Sequence, residues 1–217
     1  YPALEEVKKL KARGNLVPVY REIVADMETP VSAFLKINRG GYSFLLESVE
    51  GGERLARYSF IGTDPYRVVT THSGDKTDPL AQVSREMEKH RLVAVNGLPK
   101  FCGGAVGYLS YEAITKFEDL PLPEPDPLAI PESLFMFVDT VLVFDHALHK
   151  IKVLSHVHMD GDIEAEYRKA VSRIDNLVER LNEPLNAKRA TPARSNTANK
   201  AELVSNFSKE AFMTGVT

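Results

Sequence analysis

Runs of extended residues followed by runs of helical ones, rather than a strict alternation of the two, predict an α+β fold for this 217-residue chain. Two further observations support it. At 43% hydrophobic, the chain has enough apolar surface for a substantial core. The segment from Leu134 to Met159 turns back on itself at "DHALHK", as a hairpin connection does.

Taken in order, Leu4, Val7 and Leu10 recur at helical spacing among Glu5, Glu6, Lys8 and Lys9, and Gly14 stands where a C-cap glycine stops a helix of about three turns. "LVPVYREIV" is extended, and Pro18 places it at a sheet edge because proline cannot donate to a ladder. "TPVSAFLKI" is a short helix with Thr29 as N-cap and Pro30 at its first turn. Three strand-like runs follow, "YSFLLES", "ARYSFIG" and "YRVVTTHS", and then a helix, "DPLAQVSREMEKHRL", announced by Asp78 and Pro79. The glycine-rich "FCGGAVGYLS" is again extended. The proline-dense "LPLPEPDPLAIP" belongs to neither a sheet interior nor a helix and is expected on the surface.

The last long helix, Ile163 to Leu181, sets Ile163, Tyr167, Ala170, Ile174, Leu177 and Leu181 on one stripe and turns Glu164, Arg168, Lys169, Arg173 and Glu179 outward. Residues 1–181 are expected to form the first domain. From Asn182 to Ala201 the composition shifts to Ala, Asn, Pro, Thr and charge, which predicts a linker. Residues 202–217 resume an amphipathic pattern capped at Ser208, so a second domain is expected to start there, truncated by the end of the chain.

The 27 basic and 30 acidic residues nearly cancel, with no basic block or stripe, which argues against a nucleic-acid partner. The single cysteine, Cys102, rules out an internal disulfide and a thiolate cluster, and points to a reducing, cytoplasmic setting. No apolar run approaches the roughly 20 residues that cross a bilayer, so no membrane association is expected.

Few residues are placed to carry chemistry. His156 and His158 share a strand face and are conceivable metal ligands, but no carboxylate is placed with them by spacing; they are expected on a solvated face near the His146/His149 turn, without a metal. Cys102 lies among small residues and reads as a buried hydrophobe. "GGAVG" lacks the lysine and serine of a phosphate loop, and its glycines more often mark a bulge or a close backbone approach. That leaves Glu47, Ser48, Arg57 and Tyr58, set at the ends of two apolar strands. A Glu47–Arg57 ion pair explains two of them. An amino-acid pocket, with the guanidinium on a ligand carboxylate and Glu47 on its ammonium, explains the same residues.

The strings "NLVPVYREIVADMETPVSAFLKI", "SFLLESVEGGERLARYSFIG", "GGAVGYLSYE" and "LFMFVDTVLVFDHALHKIKVL" together resemble the N-terminal region of anthranilate synthase component I, a family of chorismate-utilising enzymes. "SNFSKEAF" is similar to the start of that family's catalytic domain. The resemblance implies antiparallel β-sheets packed together with helices on the outside. It also implies conversion of chorismate and glutamine, or ammonia, to anthranilate and pyruvate in the first step of tryptophan biosynthesis, a lyase reaction coupled to a glutamine amidotransferase subunit. Catalytic residues, the chorismate site and the ligands of Mg2+ would lie in the C-terminal domain, so this chain alone would hold none of them and be inactive. What this region would contribute is the feedback site for L-tryptophan, carried over here to Leu45, Leu46, Glu47 and Ser48, with Arg57 and Tyr58 beside them. Aminodeoxychorismate synthase component I, of the folate pathway, shares the architecture and is the alternative, as is a stand-alone amino-acid-binding module.

Overall fold

The computed structural model of the chain describes residues 1–47, 57–121, 130–185 and 208–216. In the compact unit Tyr1–Asn186, β1 (Leu16–Val24), β8 (Lys150–His158), β7 (Thr140–Asp145), β3 (Tyr58–Thr63) and β2 (Ser43–Leu46) form a five-stranded antiparallel sheet in that spatial order. A second antiparallel sheet has the order β4 (Arg67–Thr71), β6 (Ser133–Val138), β5 (Gly104–Leu109). The helices of this unit are α1 (Leu4–Lys9), α2 (Pro30–Ile37), α3 (Pro79–Met87) and α4 (Ile163–Asn182). The α+β class, with antiparallel sheets and outer helices, is therefore the observed one.

Side-chain alternation along the five-stranded sheet divides the core in two. On one face, Val17, Val19, Ile61, Leu142, Ile151, Val153 and Val157 pack against Ala170, Ile174, Leu177 and Leu181 of α4 and Ala33 and Ile37 of α2. On the other, Phe44, Val141, Val143 and Leu154 meet Met136 and Val138 of the three-stranded sheet and the buried Cys102. β8 is thus buried on both faces, which is why it reads as a nearly unbroken apolar run. Pro18 lies in β1, an edge strand, opposite His156. The hydroxyl of Thr29 accepts the Ser32 N–H, and the carboxylate of Asp78 accepts the Leu80 N–H, so both expected caps are formed.

Three local expectations are corrected. Gly14 is not a left-handed cap: its φ is 177°, and α1 gives way at Leu10 to a tight 3-10 turn, Lys11–Arg13. A Cβ at Gly14 would lie 2.2 Å from the Arg91 carbonyl oxygen, so glycine serves a close backbone approach instead. The helix opened by Asp78 ends at Met87, short of Leu92, because Leu92 forms a bridge with Leu16 and Val93 donates its N–H to the Leu16 carbonyl. The long run after Leu134 is not one ribbon: at Asp139 the chain passes from β6 in one sheet to β7 in the other. Gly107 behaves as expected, since a Cβ there would stand 1.8 Å from the Leu134 carbonyl oxygen.

The proposed linker from Asn182 starts within the last residue of α4, and its portion from residue 186 lies outside the described residues, as does most of the proline-dense segment. Within the separate unit Ala187–Thr217, α5 (Lys209–Val216) is capped by Ser208, whose hydroxyl accepts the Ala211 N–H at 3.1 Å.

Candidate functional site

β2 and β3 pair with Leu45 opposite Ile61 and Leu46 opposite Phe60. Alternation then sends the two leucines to different faces. Leu45 packs into the helix-side core, while Leu46 lies on the inter-sheet side and keeps 43% of its surface exposed. Glu47 follows the strand and is exposed; among the described residues it has no ion pair. Ser48 lies outside the described residues.

Arg57 precedes β3 and does not pair with Glu47. Its carboxylate partner is Asp145, at the end of β7, which stands opposite Tyr58 in the ladder. The register explains the choice, because Asp145 shares a sheet face with Tyr58 and its own backbone is locked there: the His146 N–H donates to the Arg57 carbonyl at 2.9 Å. Asp145 is only 2% exposed, whereas 42% of the Arg57 side chain remains accessible. Burial pushes the Asp145 carboxyl upward, but hydrogen bonding and charge from Arg57 outweigh it, leaving its pKa below the ordinary aspartate value. The Arg57 guanidinium also lies 4.9 Å from the centre of the Tyr58 ring.

Beside this pair runs an aromatic wall. Tyr58 and Phe60 have ring centres 6.1 Å apart, and Phe60 meets Phe101 edge-on at 5.1 Å. A half-exposed guanidinium next to aromatic rings and an exposed leucine can hold a small molecule that has both a carboxylate and an apolar body. Behind it, Ser59 and His146 share a hydrogen bond of 2.8 Å. Sequence reasoning does not find Asp145, because 88 residues separate it from Arg57; its place at the mouth of the hairpin turn, ending an apolar strand in charge, is the one local hint.

The histidines depart further from expectation. His156 is buried at 1% exposure on the inter-sheet face, not solvated. A carboxylate does stand with the pair: Asp139 hydrogen-bonds His158 at 3.0 Å, and its other oxygen lies 3.9 Å from Nδ1 of His156. Both groups respond. Burial would raise the Asp139 pKa, but the His158 bond and nearby positive charge lower it overall, and the same bond raises that of His158. Among the described residues, no group of three or more histidine, cysteine or carboxylate side chains is arranged to hold a metal ion. Cys102 is buried, and burial raises its thiol pKa, consistent with an inert core residue. No helix among the described residues is long and apolar enough to cross a membrane.

Comparison with known proteins agrees with these strings. A family model described as "chorismate binding enzyme" matches residues 41–217. The chain is 45% identical over 190 residues to the probable anthranilate synthase component 1 of Schizosaccharomyces pombe, covering 85% of this chain and 38% of that protein. It is 38% identical over 232 residues to anthranilate synthase component 1 of Acetivibrio thermocellus, covering 100% of this chain and 47% of that protein. A crystal structure of anthranilate synthase component I from Streptococcus pneumoniae TIGR4 aligns with 75% of this chain and 37% of its own at 24% identity and a TM-score of 0.49. The chain spans less than half the length of these curated relatives.

Proposed function

Since the chain belongs to the family of chorismate binding enzymes, we propose that it is the N-terminal part of an anthranilate synthase component I, and that it carries the feedback site for L-tryptophan. The observation that carries the first half is the 45% identity to a relative of that name over 190 residues. In this reading the enzyme turns chorismate into anthranilate and pyruvate in the cytoplasm, as a lyase, with nitrogen from ammonia or from a glutamine amidotransferase subunit. Its reaction centre and Mg2+ belong to the portion of the relatives that this chain does not span. Among the described residues no group of side chains is arranged to hold such a metal.

The regulatory half rests on the strand end. Arg57 would take the carboxylate of tryptophan, Glu47 its ammonium and Ser48 a further hydrogen bond, with Tyr58 and Leu46 against the indole. Leu45 would act from behind, holding β2 in the core. The direct test is anthranilate fluorescence from chorismate, with ammonium or glutamine. The 217-residue chain alone should give no signal above a no-protein control, and the full-length enzyme should give one that tryptophan suppresses. Fluorescence that scales with the isolated chain would overturn the division of labour.

A further inference from the structure

His156 is fully buried, yet neither of its ring nitrogens has a hydrogen-bond partner among the described residues. Leaving a buried donor or acceptor unpaired forfeits its hydration with nothing in return, so such a group in a well-packed seam calls for an explanation. The ring borders a cavity of about 60 Å³ between the sheets and α3, lined also by Tyr66, His90, Asp139, Leu92 and Met87. The space is made by the backbone. Gly103 and Gly104 have φ of 139° and 118°, and a Cβ on Gly103 would sit 2.3 Å from Cε1 of His156. Three features therefore converge on one point: an unpartnered imidazole, a cavity at its edge and two glycines that keep side chains out.

The chemistry of an occupant follows from the walls. Burial pulls the His156 pKa down to about 4, so the ring is neutral and offers one N–H and one lone pair. The Asp139 carboxylate is already engaged in a hydrogen bond with His158. Tyr66 remains a neutral phenol, its pKa pushed up to about 12, mainly by burial. His90 adds a second imidazole to the lining, Leu16 and Val138 supply apolar wall, and the rim at Leu92, Met87 and Tyr66 is partly exposed.

We infer that this cavity is a second ligand site, distinct from the β2–β3 strand end, for a compact neutral group that carries one N–H donor beside one acceptor on a flat apolar body, such as an azole or a small amide. The inference does not depend on the tryptophan reading, since none of its residues belongs to that site.

The test uses the 217-residue chain with ¹³C-labelled histidine, titrated at pH 7.5 with pyrazole while the Cε1–H resonance of His156 is followed. The expected result is a saturable shift, weakened about tenfold or more by N-methylpyrazole, which lacks the donor. Leu92→Trp, which blocks a partly exposed rim position without entering the core, should weaken binding by a similar factor. Gly103→Ala fills the space directly, but steric conflict with the ring can prevent folding, so the rim variant is the decisive one. A shift that does not saturate, or one equally strong with N-methylpyrazole or in Leu92→Trp, would overturn the site. So would a high-resolution crystal structure grown with pyrazole that shows ordered water only beside His156.

Discussion

Arg57 grips Asp145 with two prongs: Nε donates to Oδ1 at 3.1 Å and Nη2 to Oδ2 at 2.8 Å. The two ends of this pair are not alike. Asp145 is enclosed, while Arg57 keeps one side to solvent, so the pair both neutralises a buried carboxylate and presents a guanidinium whose orientation is already set. That preorganisation is what a small anionic ligand head needs from its site.

The asymmetry predicts unequal mutational costs. Arg57→Ala strands a buried carboxylate, whereas Asp145→Asn leaves an arginine that water can solvate. Chemical denaturation should rank Arg57→Ala as the less stable variant, with the double variant recovering part of the loss. Equal effects, or the reverse order, would mean that the pair is not holding a buried charge.

Stability should fall on mild acidification through His156. Its folded pKa, about 4, lies below the unfolded value of 6.5. The unfolded chain therefore binds more protons between those values. The neutral ring's advantage is complete above pH 6.5 and is lost as pH falls toward 4, at up to about 1.4 kcal/mol per pH unit for one proton. His158, whose pKa is raised by Asp139, works in the opposite sense: its stabilisation is present below 6.5 and lost as pH rises through its folded pKa. Urea midpoints measured from pH 7 to pH 4.5 should drop in wild type and flatten in His156→Leu; parallel curves would contradict the burial of a neutral ring.

Close packing between β5 and β6 predicts that Gly107→Ala is damaging. Its Cβ would overlap the Leu134 carbonyl, whose position the ladder fixes, so the cost should reach or exceed the roughly 1–3 kcal/mol typical of overpacking. Gly161→Ala, where a Cβ meets nothing within 4 Å, is the matched control and should be near neutral. Thermal melts of the two variants decide it.

What the sequence made legible was mostly local. Pro18 declared an edge strand, Thr29 and Asp78 declared helix starts, and the apolar stripe from Ala170 to Leu181 declared which face of α4 is buried. Each depends on residues within a few positions of one another. The misses are long-range. Nothing near Asp139 marks the change of sheet, because alternation is the same in either sheet. Period-2 spacing names the face that His156 lies on but not what covers it; here the cover is Gly103, and Val138 of the other sheet. The Glu47–Arg57 pair, one of the two readings the sequence leaves open, is not formed, and Asp145 is not found as the partner because pairing across β3 and β7 is set by register between distant segments. The strand-end residues were legible as a group, but their division between faces, with Leu45 inward and Leu46 outward, emerged only from the ladder.

The central proposal, a tryptophan site at the end of β2 and β3, is tested most directly by the tryptophan inhibition curve of the full-length enzyme, wild type against Ser48→Phe, at matched chorismate. Arg57→Ala is the poorer probe because it also strands Asp145. Loss of one charged hydrogen-bond partner costs about 1.5–3 kcal/mol, and a bulky side chain in the site should do at least as much harm, so half-inhibition should move to a tryptophan concentration at least about tenfold higher. Turnover without tryptophan should stay near wild type, because a feedback ligand acts by its differential affinity for two states and not through the reaction centre. Unchanged inhibition in a folded Ser48→Phe enzyme would contradict the site, and parallel loss of turnover and inhibition would show that the strand end supports the fold and does not read tryptophan.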